Sequence, residues 1–161
     1  MILTLARSLS LAALLLTGAI AGFFYAYWCS VMIGLDAAGA EAATATMQGI
    51  NATVRNAMFA PAFFGPLLVL PLAAAAAFLA GAIRSAIWLV AASVIYAGGG
   101  FGLTLLVNVP MNEAFASAPP SAWAAYLERW SFWNGVRTIA SFAALLCVGA
   151  ALLAGRRPAV A

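Results

Sequence analysis

Apolar residues fall in four long runs, over about 8–35, 58–83, 86–107 and 133–154. Each is long enough for the roughly 20-residue helix that crosses a bilayer's hydrocarbon core. The first run follows Arg7 and carries small residues at Ala19-Ile20-Ala21, as a signal peptide would. It continues through Phe23, Phe24, Tyr25, Tyr27 and Trp28 to Leu35, well past the h-region of about 7–15 residues in a cleaved signal, so it reads as a retained span. The second run contains Pro61, Pro66 and Pro71, predicting a kinked span whose freed carbonyls are satisfied by neighbouring helices. The third carries Gly98-Gly99-Gly100 and Gly102, the mark of a close helix approach or a local break. The short 83–86 turn makes spans two and three an antiparallel hairpin.

The two long connections, 36–57 and 108–132, are also periodic. Over 41–58, Thr44, Gln48, Asn51 and Arg55 form one helical stripe beside an apolar one of Met47, Ile50, Val54 and Met58. This predicts an amphipathic helix on the membrane face. Over 119–132, Pro119-Pro120-Ser121 marks a helix start, followed by an apolar face of Trp123, Tyr126, Leu127 and Trp130. The fold class expected is all-α: a single integral-membrane four-helix bundle over residues 1–161, with short amphipathic helices in its two long loops.

Composition strengthens that picture. The chain is 66% hydrophobic and 7% charged, against about 25% charged in soluble domains, and its mean hydropathy is +1.07. All seven basic residues are Arg, and no basic run interleaved with aromatics suggests a nucleic-acid partner. Arg7, Arg84, Arg156 and Arg157 share one side of the four-span layout, opposite Arg55, Arg129 and Arg137. That majority predicts cytoplasmic termini in a bacterial inner membrane. The absence of His removes the commonest metal ligand and general base. Cys29 and Cys147 lie in apolar runs without a zinc or redox spacing. Met32, Met47, Met58 and Met111 read as a core-filling stripe rather than a Cu(I) site. Neither metal nor cofactor is expected.

Polar residues converge on one face. Tyr25, Cys29, Met32 and Asp36 share a side of the first span, and Trp130, Asn134, Arg137 and Ser141 share a side of the fourth, with Trp133 and Thr138 beside them. Between them, Asn108-Val109-Pro110-Met111-Asn112 sets two amides about a proline, and Asn51 adds a third from the amphipathic helix. Wet loops alone would gather Glu41, Glu128, Arg129 and Arg55 there. Arg137 is different, because a charge in an apolar span costs about 2.5–3.5 kcal/mol at its centre and less near its ends. It predicts an acidic partner, Asp36 or Glu113, and stands either in a structural ion pair tying spans one and four or in an oxyanion site. Trp123, Tyr126, Trp130 and Trp133 form either an interfacial belt or the wall of a pocket for a planar ligand.

On these residues the chain resembles the anthrone oxygenase-like family of small four-span membrane proteins. The resemblance runs through Phe24-Tyr25, Trp28 to Asp36, Met47-Gln48-x-Ile50-Asn51, Phe63-Phe64-Gly65-Pro66, the Asn108–Asn112 motif and Trp130-x-x-Trp133-Asn134-x-x-Arg137-Thr138. It covers nearly the whole chain, and the last two motifs are its most specific. It departs at Gly135, where the family motif often carries a histidine.

Fungal relatives oxidise anthrones to anthraquinones with O2 and no established metal or flavin. The resemblance thus implies a cofactor-independent oxygenase acting on an aromatic or quinone-like lipophile. Arg137 and Asn134 would be oxyanion donors with Asn108 and Asn112, Asp36 or Glu113 the base, and Trp130, Trp133 and Tyr25 the walls. The alternative reading is a non-catalytic subunit whose glycine- and alanine-rich spans three and four dock on a partner membrane protein or a second copy. Membrane lipid is a partner under either reading.

Overall fold

The computed structural model describes residues 1–155, so Arg156 and Arg157 lie outside the described residues. Five helices account for nearly all of it: α1 (Ile2–Ala37), α2 (Ala40–Thr53), α3 (Ala60–Leu79), α4 (Ile83–Phe115) and α5 (Pro120–Ala154). All but α2 are long and apolar enough to cross a membrane. α1 and α4 each pack against α3 and α5, giving a four-membered ring of helices. The chain is a multi-pass membrane protein whose outward side chains, such as Leu15, Leu68, Leu106 and Leu146, stand exposed to meet lipid.

The half of the bundle that holds Arg7 and Gly155 is packed with small side chains. Ala13, Ala73, Ala92 and Ala144 are fully buried beside Leu70, Leu89 and Val148. Dispersion and close packing drive helix association in lipid, because hydrophobic transfer between helices is absent there. The turn between α3 and α4 runs through Gly81 at φ +73°, a left-handed conformation that glycine adopts without steric cost. Arg7 Nη2 reaches the carbonyl of Gly155 at 3.4 Å and Ser85 Oγ donates to that of Ala151 at 2.8 Å, fastening this end.

Close approach also explains the glycine cluster of α4. A Cβ on Gly99 would stand 2.5 Å from Cβ of Ala140 on α5. The segment is broken as well as close, since residues Tyr96–Gly102 and Thr104–Asn108 both run as π-helix. A third π segment, Tyr27–Val31, interrupts α1. The prolines of α3 leave that helix continuous: Pro61 occupies its first turn, and Pro66 and Pro71 lie inside it. Tyr96 Oη donates at 2.6 Å to the carbonyl of Phe63, next to the Ala62 carbonyl that Pro66 leaves without its usual donor.

Element boundaries differ from expectation at the opposite end. α4 passes through Asn108-Val109-Pro110 without a loop, because the change of helical register at Asn108 puts Pro110 in the first turn of the next segment, Val109–Phe115, where its missing N–H is tolerated. The helix expected over 119–132 is present, but it is the beginning of α5 itself. α2 forms as its stripe predicts and ends at Thr53, so Met58 falls beyond it and is exposed. Together α2 and these extensions enclose a second, aromatic core of Met32, Met47, Phe115, Trp123, Tyr126 and Trp130. Gly39, at φ +88°, makes the turn that folds α2 back over the bundle.

Candidate functional site

Between the two cores lies a cavity of about 480 Å³, within the range of small-molecule sites. Its walls are aromatic: Phe23, Phe24 and Tyr27 from α1, Phe63 and Phe64 from α3, and Trp130 from α5. The segment after α2, from Val54 to Ala57, lies over it with Arg55 and Asn56. Polar groups enter from Arg137, Thr104, Asn112 and Asn51.

Arg137 is 5% exposed. Its Nη2 donates to Asn134 Oδ1 at 2.9 Å and its Nη1 to Thr104 Oγ1 at 3.3 Å, while Nε has no partner. The guanidinium carbon sits 4.4 Å from the ring centre of Phe24 and 5.2 Å from that of Trp130, so aromatic faces supply much of its electrostatic support. Asn134 is locked in turn by a 2.9 Å bond from Nδ2 to the carbonyl of Phe24.

The expected acidic partner is not there. Asp36 accepts from Trp123 Nε1 at 2.9 Å, and Glu113 forms an ion pair with Arg55 at 3.7 Å in which both side chains are mostly exposed. Arg137 lies two helical turns, about 10 Å, deeper along α5 than Trp130, whereas both acids sit at the rim. Neither Asp36 nor Glu113 lines the cavity. Among the described residues, Arg137 therefore has neutral partners alone.

Asn112 Oδ1 accepts from Tyr126 Oη and from Trp130 Nε1, both at 2.9 Å, and Asn51 Nδ2 donates to Tyr126 Oη at 3.2 Å. Gln48 Nε2 ties α2 to the carbonyls of Phe115 and Ala118 at 2.9 and 3.1 Å. Of the four aromatics expected as interfacial belt or pocket wall, only Trp130 lines the cavity, while Trp123 and Tyr126 are buried in the core of the aromatic cap.

Three expected site residues stand elsewhere. Tyr25 faces outward against Phe142. Tyr25 belongs to the regular Ile2–Ala26 segment, which turns Phe23 and Phe24 to the cavity instead. The π segment that follows shifts the register of Met32 and Asp36 relative to Tyr25, so the stripe that regular spacing predicts is broken. Trp133 packs edge-on against Phe132 outside the cavity. Asn108 is 1% exposed with neither amide atom partnered, and it does not line the cavity either.

Sequence reasoning missed Phe24, Phe63, Tyr27 and Thr104. The aromatics are indistinguishable in sequence from lipid-facing ones. Thr104 had a usable signal, as a hydroxyl inside an apolar run four residues before Asn108. The Gly135 departure also has a local cause: a Cβ there would lie 3.1 Å from the indole of Trp28, so the position is filled from α1.

No curated protein and no solved structure gives a match. The family model described as anthrone oxygenase matches residues 55–147, a span that includes α3, α4 and the part of α5 bearing Trp130, Asn134 and Arg137. With more than half of its length matched, including the Arg137 wall of the cavity, the chain belongs to the anthrone oxygenase family.

Proposed function

We propose that the protein is a cofactor-independent oxygenase that converts the activated methylene of an aromatic, anthrone-like lipophile into a ketone. The observation that carries this reading is Arg137: a buried guanidinium, held by neutral groups, facing an aromatic cavity. A buried charge without a counter-charge is costly, and an anionic ligand oxygen at the guanidinium would offset that cost. Arg137 then stabilises the enolate formed when the methylene carbon loses a proton, as an oxyanion hole does. Asn134 and Thr104 hold the guanidinium in position, and Phe24, Phe63 and Trp130 enclose the rings. Of the two acids expected as base, Asp36 is committed to Trp123, whereas Glu113 is exposed and pairs with Arg55, a cavity-lining residue. Glu113, next in sequence to the cavity-lining Asn112, is the acid this reading assigns as proton acceptor.

The carbanion gives one electron to O2, and the resulting radical and superoxide join as a carbon-bound peroxide. Protonation and loss of water leave the carbonyl, so one oxygen atom enters the product and the other departs as water with the two methylene hydrogens. In the same reading the cavity faces outward from a bacterial inner membrane, with Arg7 and Arg84 on the cytoplasmic side.

The test is O2 uptake and anthraquinone formation by the purified chain in liposomes supplied with anthrones. Arg137→Leu is expected to lower the rate about 10²–10³-fold, the usual effect of losing an oxyanion donor. Glu113→Gln is expected to lower it about 10²-fold, as for a general base. Uptake no greater than in protein-free liposomes, across several hydroxyanthrones, overturns the reading.

A further inference from the structure

The amide network at the cavity's edge has only one consistent polarity. The indole N–H of Trp130 can donate and cannot accept, so the Asn112 atom 2.9 Å from it is the amide oxygen. Tyr126 Oη is also 2.9 Å from that oxygen, and the phenol has one proton to give, so it gives it there. Its own oxygen then accepts from the NH2 group of Asn51 at 3.2 Å. Two groups are left over, the NH2 of Asn112 and the carbonyl of Asn51. Neither makes a hydrogen bond among the described residues, and both side chains line the cavity. The cavity wall thus offers one donor and one acceptor whose identities are fixed by Trp130.

Trp130 also sets where this pair stands relative to Arg137. The guanidinium lies over the face of the same indole whose N–H edge holds Asn112. Arg137 and Asn112 thus contact different parts of one indole, its face and its N–H edge.

We infer that Asn51 and Asn112 form a specificity site for a neutral hydroxyl on the ligand ring remote from the oxygen held by Arg137. A hydroxyl accepts from the Asn112 NH2 and donates to the Asn51 carbonyl at once. An ether or ketone oxygen leaves the Asn51 carbonyl unanswered, an ionised oxygen is repelled by it, and a bare C–H answers neither group. Discrimination arises mainly from the unmet amide groups, since a desolvated polar group without a partner costs more than a made bond contributes. This inference rests on the anion-binding role of Arg137 proposed above.

The experiment measures equilibrium binding to the full chain in detergent micelles, independent of turnover. The probes are a naphthol, the naphthalenediol with its second hydroxyl on the far ring, and that diol's monomethyl ether. In the wild-type chain the diol is expected to bind about tenfold tighter than the other two, the worth of two modest hydrogen bonds. In Asn51→Leu the preference is expected to fall below twofold. Equal affinity for all three probes in the wild-type chain, a comparison that requires no variant to fold, overturns the hydroxyl site, as does a preference that survives Asn51→Leu. Arg137→Leu separates the two ideas: naphthol affinity unchanged there overturns the anion reading, whatever the diol preference. No saturable binding of any probe overturns both.

Discussion

The two ends of the bundle are built from the same helices and packed by opposite means. At the end holding Arg7 and Gly155, buried alanines bring backbones together, and midway along α4 Gly99 admits Ala140 so closely that no other side chain fits. At the other end, tryptophan, tyrosine and phenylalanine hold the helices apart, three π segments turn the chain, and a cavity remains. Small residues maximise contact and leave no room for a ligand. Large planar ones make contact through their edges and faces, and leave voids between them that can be filled by another planar molecule. One half therefore maximises helix contact and the other keeps a cavity.

The largest expected effect follows from the closest contact. Gly99→Leu forces α4 and α5 apart along the line that joins the two halves, because the obstructing atom is a Cβ with no rotamer to move. Overpacking of this kind costs about 3 kcal/mol, read as a fall in thermal unfolding midpoint in detergent. Gly99→Ala should be partly rescued by Ala140→Gly, which removes the atom it meets. Full stability in Gly99→Leu would mean that the small-residue half is not the rigid one.

Arg137→Leu is expected to be milder for stability than for function. A buried arginine torn from an acid partner leaves a stranded charge, at about 3–5 kcal/mol. Here its loss strands neutral acceptors, Asn134 Oδ1 and Thr104 Oγ1, so about 1–2 kcal/mol is expected. Loss near the upper figure in chemical denaturation would assign Arg137 to structure and weaken the contrast between the halves.

How much of this was legible in the sequence follows the same division. Hydrophobic runs fix helices by length, so the four spans and the amphipathic α2 were readable, and so was the close approach at the glycine cluster. Trp130, Asn134 and Arg137 were placed together because α5 is regular where they lie. The facing stripe of Tyr25 and Asp36 was misread because a π segment of five residues in α1 changes the rotation per residue, and nothing in Tyr27–Val31 marks it. Asp36 and Glu113 were assigned to Arg137 by charge alone, and depth along the helix decided otherwise. Ring orientation, which separates cavity wall from lipid surface, has no one-dimensional signature.

The cap can be loosened without touching the small-residue half. Gln48→Leu removes both hydrogen bonds from α2 to the carbonyls of Phe115 and Ala118, and about 1 kcal/mol is expected. The signature is local. Hydrogen exchange should accelerate in α2 and in the 54–59 segment over the cavity while the Ala13 and Leu89 regions keep their protection. Uniform acceleration through all four spans would mean that the ends are not separable units.

The smallest effect is expected where the charges are most conspicuous. Arg55 and Glu113 form the one ion pair among the described residues, at 3.7 Å and with side chains 65% and 63% exposed. Such a pair is screened by water and salt, and a double-mutant cycle with Arg55→Gln and Glu113→Gln should return about 0.5 kcal/mol or less. The coupling should shrink further as ionic strength rises. Arg55 lines the cavity and Glu113 does not, and an exposed pair of this kind adds little to holding helices together. A coupling well above 1 kcal/mol that resists salt would place the pair in a drier setting and make it part of the structural half of the molecule.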